Sequence, residues 1–119
     1  MANVNIISTE DLKARLDEGG KFEFWNVLSD EYFKGEFIPG SRRVPVDQVG
    51  REISASGLQK DTEIITYCGG PNCPQSLQAA EKLVTLGFAN VKAYEGGLEE
   101  WKAAGYSVDA QETSAAAKA

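Results

Sequence analysis

The two cysteines of the chain, Cys68 and Cys73, are its strongest candidates for chemistry, and they lie close together in the sequence. Thiols at this spacing can act as nucleophiles or join in a disulfide. The chain has no histidine, so it cannot build a Ser/His/Asp triad, a Cys/His protease pair or a histidine-ligated metal site. Two cysteines are too few for a four-thiolate metal site within one chain, and we expect no metal.

Cys68 follows a short apolar run, Ile64 to Tyr67, that is typical of a central parallel strand covered by helices on both faces. Pro74 then indicates the start of a helix. Between them lies the candidate active-site loop, which consists of Gly69, Gly70, Pro71, Asn72 and Cys73. We expect its glycines to adopt unusual backbone angles, so that several N–H groups converge on one point and stabilise a sulfur anion.

The same arrangement predicts that the Cys68 sulfur points into the crevice beyond the strand. The loop amides and the positive end of the next helix dipole would lower the pKa of Cys68 below its usual value of about 8.5. The competing interpretation is that Cys68 is a small buried hydrophobic residue. Cys73 either resolves an oxidised or persulfidated Cys68 as a disulfide, or only fills space at the helix start.

Predicted strands and helices alternate along the chain, which indicates an α/β fold with a mostly parallel sheet. Ser8 and the Gly19-Gly20 pair bound a predicted helix over Thr9–Glu18. Tyr32 and Tyr67 either line the crevice or pack in the core, and packing is the favoured role. The remaining predicted elements are a strand over Phe22–Leu28, an extended piece over Arg43–Val46, an irregular or single-turn segment over Asp47–Leu58, a strand over Val91–Tyr94 and a helix carrying Leu98, Trp101 and Ala104. We expect one domain over residues 1–109 and a flexible tail over residues 110–119.

The charge balance argues against several classes of partner. Lys and Arg together number 12 and Asp and Glu 18, giving a net charge of −6 without any cluster of basic residues. Nucleic acids and anionic membranes both favour clustered positive charge, so neither is expected as a partner. No cofactor-binding motif is present, and no cofactor is expected. The start of the chain lacks a basic leader and an apolar segment, from which we expect a cytoplasmic protein.

Several segments, in this order, resemble the rhodanese family of single-domain sulfurtransferases from about Ile6 to Val108. They are Tyr32-Phe33-Lys34-Gly35, Ile38-Pro39-Gly40-Ser41, Ile64 to Cys68, Ala79-Ala80, Leu86-Gly87-Phe88, Gly96-Gly97, Trp101 and Gly105. The resemblance implies a parallel five-stranded sheet flanked by helices on both faces. It also implies transfer of a sulfane sulfur through a persulfide on Cys68. With Cys73, the chain is similar to family members that carry a second cysteine in the loop.

The chain departs from the family pattern at three places. Asn26-Val27-Leu28 replaces the usual Asp-x-Arg, and Phe37 replaces a histidine, so we expect a structural ion-pair and hydrogen-bond network to be weakened. The loop is longer than usual and lacks the arginine that commonly follows the cysteine. Thiosulfate is a dianion that a bidentate cation would bind well, so we expect it to be a poor donor. Arg42 and Arg43 either supply charge to the substrate from a neighbouring loop or are solvated surface residues.

The resulting expectation is a sulfurtransferase that takes sulfur from a small sulfur-containing donor, thiosulfate or a persulfide, and passes it to a thiol or protein acceptor. One alternative is a rhodanese-like module that binds a partner protein without catalysis. The other is a dithiol redox switch formed by Cys68 and Cys73. A transferase requires only Cys68, a switch requires both cysteines, and a binding module requires neither.

Overall fold

The structure, a computed structural model, describes residues 4–70 and 73–110. A short 3-10 helix over Val46–Gln48 precedes the second α-helix. In chain order the other elements are β1 (Val4–Ile6), α1 (Thr9–Glu18), β2 (Glu23–Asn26), β3 (Glu36–Phe37), β4 (Arg42–Arg43), α2 (Val49–Ser56), β5 (Ile64–Tyr67), α3 (Gln75–Thr85), β6 (Val91–Tyr94), α4 (Gly97–Ala103) and β7 (Asp109–Ala110).

The central sheet has five strands in the order β1-β6-β5-β2-β4, and every neighbouring pair is parallel. This arrangement confirms the predicted α/β fold. Tyr67, the last residue of β5, pairs with Asn26 of β2 and with Tyr94 of β6. Three strands therefore end level with one another, and Cys68 leaves the sheet at the middle of its carboxyl edge, where ligands of open parallel sheets usually bind.

Strand residues alternate between two hydrophobic clusters, one on each face of the sheet. Phe24 and Ile65 pack on the face that also buries Leu12 of α1 and Trp101 of α4. The opposite face is covered by α2 and α3, which contribute the following buried residues: Val49, Ala79, Ala80 and Leu83. Helices on both faces explain why β5 consists entirely of buried residues.

The element boundaries follow the sequence prediction where the signals are local. Helix α1 has the predicted bounds, and the Ser8 hydroxyl accepts a hydrogen bond from the Asp11 amide at 3.0 Å. Strand β6 also has the predicted bounds. Strand β2 is shorter than expected, and β4 pairs over only two residues.

The expectation of an irregular or single-turn segment over Asp47–Leu58 is wrong, because more than one helical turn forms there. An eight-residue helix, α2, forms there and ends at Gly57, which adopts the left-handed conformation. Buried Val49 and partly buried Ile53 pack the helix against the core. Packing of these two residues compensates for the low helix propensity of its serines and glycine.

A second, two-stranded sheet lies outside the central one. Glu36 pairs with Ala110 and Phe37 with Asp109 in antiparallel orientation. The first residue of the predicted tail, Ala110, is therefore part of a strand. The remainder of that tail, residues 111–119, lies outside the described residues.

The hydroxyl of Tyr67 organises a buried polar network beneath the carboxyl edge. It accepts hydrogen bonds from the Ile38 amide at 2.8 Å and the Asn26 side-chain amide at 3.3 Å, and it lies 2.7 Å from the Ser41 hydroxyl. The side-chain oxygen of Asn26 (Oδ1) also accepts a hydrogen bond from Arg43 at 3.3 Å. The positions at which the sequence departs from the pattern it resembles, Asn26 and Phe37, thus lie in or next to a hydrogen-bonded network whose centre is neutral.

The chain leaving β5 is fixed by the start of α4. The amides of Leu98 and Glu99 donate to the carbonyls of Cys68 and Gly69 at 3.0 and 2.8 Å. Gly97 permits this close approach, because a Cβ at its position would lie 2.5 Å from the Cys68 carbonyl oxygen. Its φ of 63° also lies in the left-handed region, which favours glycine. Gly97 therefore determines where the main chain at Cys68 lies.

Replacing Gly97 with alanine is expected to destabilise the fold and displace Cys68. The combined cost of a left-handed alanine and of the clash is about 3 kcal/mol in the free energy of unfolding, measurable by urea denaturation. Gly57→Ala is the matched control, because Gly57 has a φ of 67° and a Cβ there would meet nothing within 4 Å. Equal losses in the two variants would contradict the role given to Gly97.

Candidate functional site

Cys68 is fully buried, with none of its surface exposed. Its thiol donates a hydrogen bond to the Cys73 carbonyl, with a sulfur to oxygen distance of 3.2 Å. Burial, followed by interaction with the Cys73 side chain, raises the pKa of Cys68 to about 11. The predictions of a crevice-facing sulfur and a lowered pKa are therefore wrong for this arrangement of the loop.

The loop backbone also differs from the expected cradle of amides. Neither Gly69 nor Gly70 has a positive φ. A Cβ at Gly70 would lie 2.5 Å from a carboxylate oxygen of Glu99, so the glutamate side chain packs directly against this part of the loop. The Cys73 amide donates to the Gly70 carbonyl at 3.0 Å, so this amide is not directed at the sulfur. Two predicted loop residues, Pro71 and Asn72, lie outside the described residues.

Ser76, in the first turn of α3, provides the donors that face Cys68. Its backbone amide and its hydroxyl both act to lower the pKa of the thiol, although burial outweighs them. The Ser76 hydroxyl is fully buried and has no hydrogen-bond partner of normal geometry within the described residues. It is thus available to donate to a sulfur anion on Cys68.

The sequence analysis did not identify Ser76 as a site residue. A signal was present, because Ser76 lies on the helix face that buries Ala79, Ala80 and Leu83. A hydroxyl on an otherwise apolar face requires a partner. The Thr66 hydroxyl of β5 fixes the position of this turn by donating to the Ser76 carbonyl at 2.8 Å.

Cys73, rather than Cys68, lines the cavity next to the loop. It is partly buried, and its sulfur lies 3.8 Å from the side-chain oxygen of Gln75. Both thiols are free and close together. Gln75 also accepts a hydrogen bond from the Ser29 amide at 2.9 Å, which joins the start of α3 to the segment after β2.

The cavity has a volume of about 900 Å³. Apolar, charged and polar side chains from four segments surround it. Its lining consists of Leu28, Tyr32, Lys34, Glu36, Gly69, Gly70, Cys73, Pro74, Gln75, Gln78, Leu98, Glu99 and Lys102. Tyr32 is 58% exposed and faces this cavity, so its expected packing role is wrong. Tyr67, by contrast, is buried as expected.

Arg42 and Arg43 do not line the cavity. Arg42 forms ion pairs with Glu23 and Glu52 at the surface. Arg43 donates to the Leu28 carbonyl at 2.6 Å and pairs with Asp30 at 2.7 Å. These contacts give Arg43 a structural role in holding the segment after β2, and they give no support to substrate contact by either arginine.

Comparison with protein families identifies the chain. The model of the rhodanese-like domain matches residues 8–104. The chain belongs to the rhodanese-like domain family. Its second loop cysteine, Cys73, lies close to the first, Cys68. No curated protein matches the chain.

Solved structures agree with this family assignment. The BH2092 protein from Bacillus halodurans is 31% identical, with a TM-score of 0.77, over 89% of this chain and 77% of that one. The Alr3790 protein from Anabaena sp. is also 31% identical, with a TM-score of 0.76, over 92% of this chain and 96% of that one. A thiosulfate sulfurtransferase from Pseudomonas aeruginosa shares the fold, with 24% identity and a TM-score of 0.77 over 91% of this chain and 20% of that one.

Within residues 4–70 and 73–110, no group of three or more Cys, Asp or Glu side chains is arranged to hold a metal ion. Among the helices that the structure describes, none has both the length and the apolar character needed to cross a bilayer.

The burial of Cys68 and the position of Ser76 predict a pH dependence for thiol alkylation. Because the thiolate is the reactive form, alkylation of Cys68 should accelerate about tenfold per pH unit through the neutral and mildly alkaline range. Ser76→Ala should slow it about tenfold further at fixed pH, because a donor to the thiolate is lost. Site-resolved mass spectrometry of iodoacetamide-treated protein measures both effects.

Ser56→Ala is the control for that substitution, because Ser56 is an exposed serine in α2 that has no contact with Cys68. It should leave the alkylation rate unchanged. A wild-type rate that levels off near neutral pH would contradict the raised pKa. An unchanged rate in Ser76→Ala would remove Ser76 from the site.

Proposed function

We propose that this rhodanese-like domain is a sulfurtransferase that carries sulfur as a persulfide on Cys68. The observation that carries the proposal is the placement of Cys68 at the end of central strand β5, against the Ser76 amide and hydroxyl and beside a cavity. Hydrogen-bond donors fixed in a buried site stabilise an anion strongly. A persulfide is more acidic than a thiol, so these donors favour the charged carrier over the protonated free thiol.

The reaction consists of two displacements at sulfur. The Cys68 thiolate attacks the sulfane sulfur of a donor, the donor's S–S bond breaks, and its electron pair leaves with the remaining group. An acceptor thiolate then attacks the outer sulfur of the persulfide and restores the Cys68 thiolate. Each step moves one sulfur atom, breaks one S–S bond and forms another. No external oxidant or cofactor is therefore needed.

The conditions that this chemistry needs also suggest where the protein acts. Both cysteines are free thiols, which suits a reducing compartment such as the cytoplasm. The acceptor is a thiol, either small or on a protein. No arginine is among the cavity-lining residues that the structure describes, which argues against the dianion thiosulfate as the preferred donor.

Intact mass spectrometry after incubation with a sulfane-sulfur donor tests the proposal. Wild-type protein should gain one sulfur atom that cyanide or dithiothreitol removes, and Cys68→Ser should gain none. The serine hydroxyl can still donate to the Cys73 carbonyl, so this variant should fold normally, as circular dichroism can verify. Cys73→Ser is the matched control and should still gain sulfur. Sulfur transfer by Cys68→Ser would refute the assignment, and no gain in any form would favour a binding module.

The proximity of the thiols supports a second function, a dithiol switch. Hydrogen peroxide would oxidise Cys68 and Cys73 to a disulfide, with loss of one hydrogen from each thiol and formation of two molecules of water. Wild-type protein treated with peroxide should lose the mass of two hydrogens, and dithiothreitol should restore it. Either single serine variant should lack this change. Oxidation of Cys73 alone, with Cys68 still reduced, would contradict the switch.

A further inference from the structure

The two cysteines differ in which of them a small molecule can reach. Cys73 is partly buried and lines the cavity beside the loop. Cys68 is fully buried, and its thiol donates to the Cys73 carbonyl. The only contact of the Cys73 sulfur with oxygen among the described residues is a weak one, at 3.8 Å from the side chain of Gln75. A reagent that enters the cavity therefore meets Cys73 before Cys68.

The buried cysteine has a hydrogen-bond donor available for its anion. Cys68 does not line the cavity, but its thiol interacts with that of Cys73. The fully buried Ser76 hydroxyl faces Cys68 and has no partner of normal geometry within the described residues. A buried donor without a partner costs free energy, which a thiolate on Cys68 would recover. The site thus combines an accessible sulfur with a buried one that can become a nucleophile.

The cavity in front of Cys73 suits a small organic ligand that carries both charges. Its volume of about 900 Å³ falls within the range of about 300–1,000 Å³ that small-molecule sites occupy. Of its charged lining residues, Lys102 and Glu36 pair with each other at 2.8 Å. The other two, Lys34 and Glu99, form no ion pair within the described part of the chain. They can bind the carboxylate and the ammonium group of an amino acid or a short peptide.

We propose that Cys73 takes up a small amino-acid or peptide thiol by exchange with the disulfide of that thiol, and that Cys68 then displaces it. The inference rests on the dithiol switch proposed above, and it names the oxidant of the switch and the order in which the cysteines react. Lys34 binds the carboxylate of the incoming disulfide, and Glu99 binds its ammonium group.

The reaction consists of two thiol–disulfide exchanges. The Cys73 thiolate attacks one sulfur of the small disulfide, whose S–S bond breaks, and one small thiolate leaves with the electron pair. Cys68 loses its proton to water, accepts a hydrogen bond from Ser76, and attacks the Cys73 sulfur of the mixed disulfide. The second small thiolate leaves as the bond between Cys68 and Cys73 forms. The small disulfide gains two electrons and the protein dithiol loses two, so no other oxidant takes part.

Intact mass spectrometry after incubation with glutathione disulfide or with cystine tests the order of the two exchanges. Cys68→Ser should stop with one small thiol bound to Cys73, because no second thiol displaces it. Wild-type protein should pass through the same adduct and end with the internal disulfide, having lost the mass of two hydrogens. Cys73→Ser retains only the buried thiol, so it should form the adduct more than about tenfold more slowly than Cys68→Ser does.

Lys34→Gln, made in the Cys68→Ser background, tests recognition in the cavity. It should slow adduct formation by glutathione disulfide and by cystine about fivefold, which corresponds to about 1 kcal/mol. It should not change the rate with the uncharged 2-hydroxyethyl disulfide. Lys21→Gln is the matched control, because it removes an exposed lysine before β2, at the other end of that strand from the loop, and it should change none of the rates.

The outcomes separate this inference from the functions proposed above. A selective effect of Lys34→Gln on only one of the two charged disulfides supports it and identifies that disulfide as the better ligand. Equal adduct rates in the two cysteine variants overturn the order of reaction. A Lys34→Gln effect that is absent, or equal for all three disulfides, overturns recognition in the cavity. Wild-type protein that keeps the adduct without forming the internal disulfide overturns the role of Cys68.

The peroxide experiment on the same protein shows whether the switch survives such a failure. If peroxide still forms the internal disulfide, this inference is wrong and the dithiol switch stands. If neither peroxide nor any small disulfide forms it, both are refuted. Sulfur transfer at Cys68 is measured separately, by the gain of one sulfur atom, and stands or falls independently of both.

Discussion

The contact between the main chain at Cys68 and the first turn of α4 fixes the geometry of the whole site. Two amides of α4 bond to two successive carbonyls of the departing strand, and Gly97 provides the space. The same contact brings Leu98 and Glu99 to the cavity. Because α4 also buries Trp101 in the core, the loop is tied to a rigid body of the fold rather than to a surface segment. Cys68 is thereby held beneath the loop, within reach of the first turn of α3.

A second constraint comes from the hydrogen-bond network around Tyr67. Two positions at which the chain departs from the family pattern, Asn26 and Phe37, lie in or next to this network. An asparagine at position 26 can donate to the tyrosine and accept from Arg43, whereas a carboxylate could only accept. The Tyr67 hydroxyl also accepts a hydrogen bond from the amide of Ile38, the residue after Phe37. The structure thus keeps the segments after β2 and β3 together without a buried carboxylate, whose desolvation would be costly.

Features determined by neighbouring residues could be predicted from the sequence. The Ser8 cap and the leucine spacing predicted α1, and the apolar run before Cys68 predicted the central strand. Helix α2 was missed because its sequence favours helix only weakly and its stability comes from Val49 and Ile53 in the core. The antiparallel pair of β3 and β7 was missed because its two residues per strand join distant parts of the chain. The location of Cys68 could be predicted, but its electrostatics depend on burial and on which way the Cys73 carbonyl faces.

The hydrogen bond from the Cys68 thiol to the Cys73 carbonyl has a consequence for selectivity. With a pKa of about 11, roughly one thiol in 10,000 is ionised at pH 7. Peroxides and soluble electrophiles therefore react slowly with Cys68 at neutral pH, whereas Cys73 lines the cavity and is directly accessible to them. A reagent that acts on exposed thiols thus meets Cys73 first, while Cys68 is protected by burial and by the donation of its proton to a main-chain carbonyl.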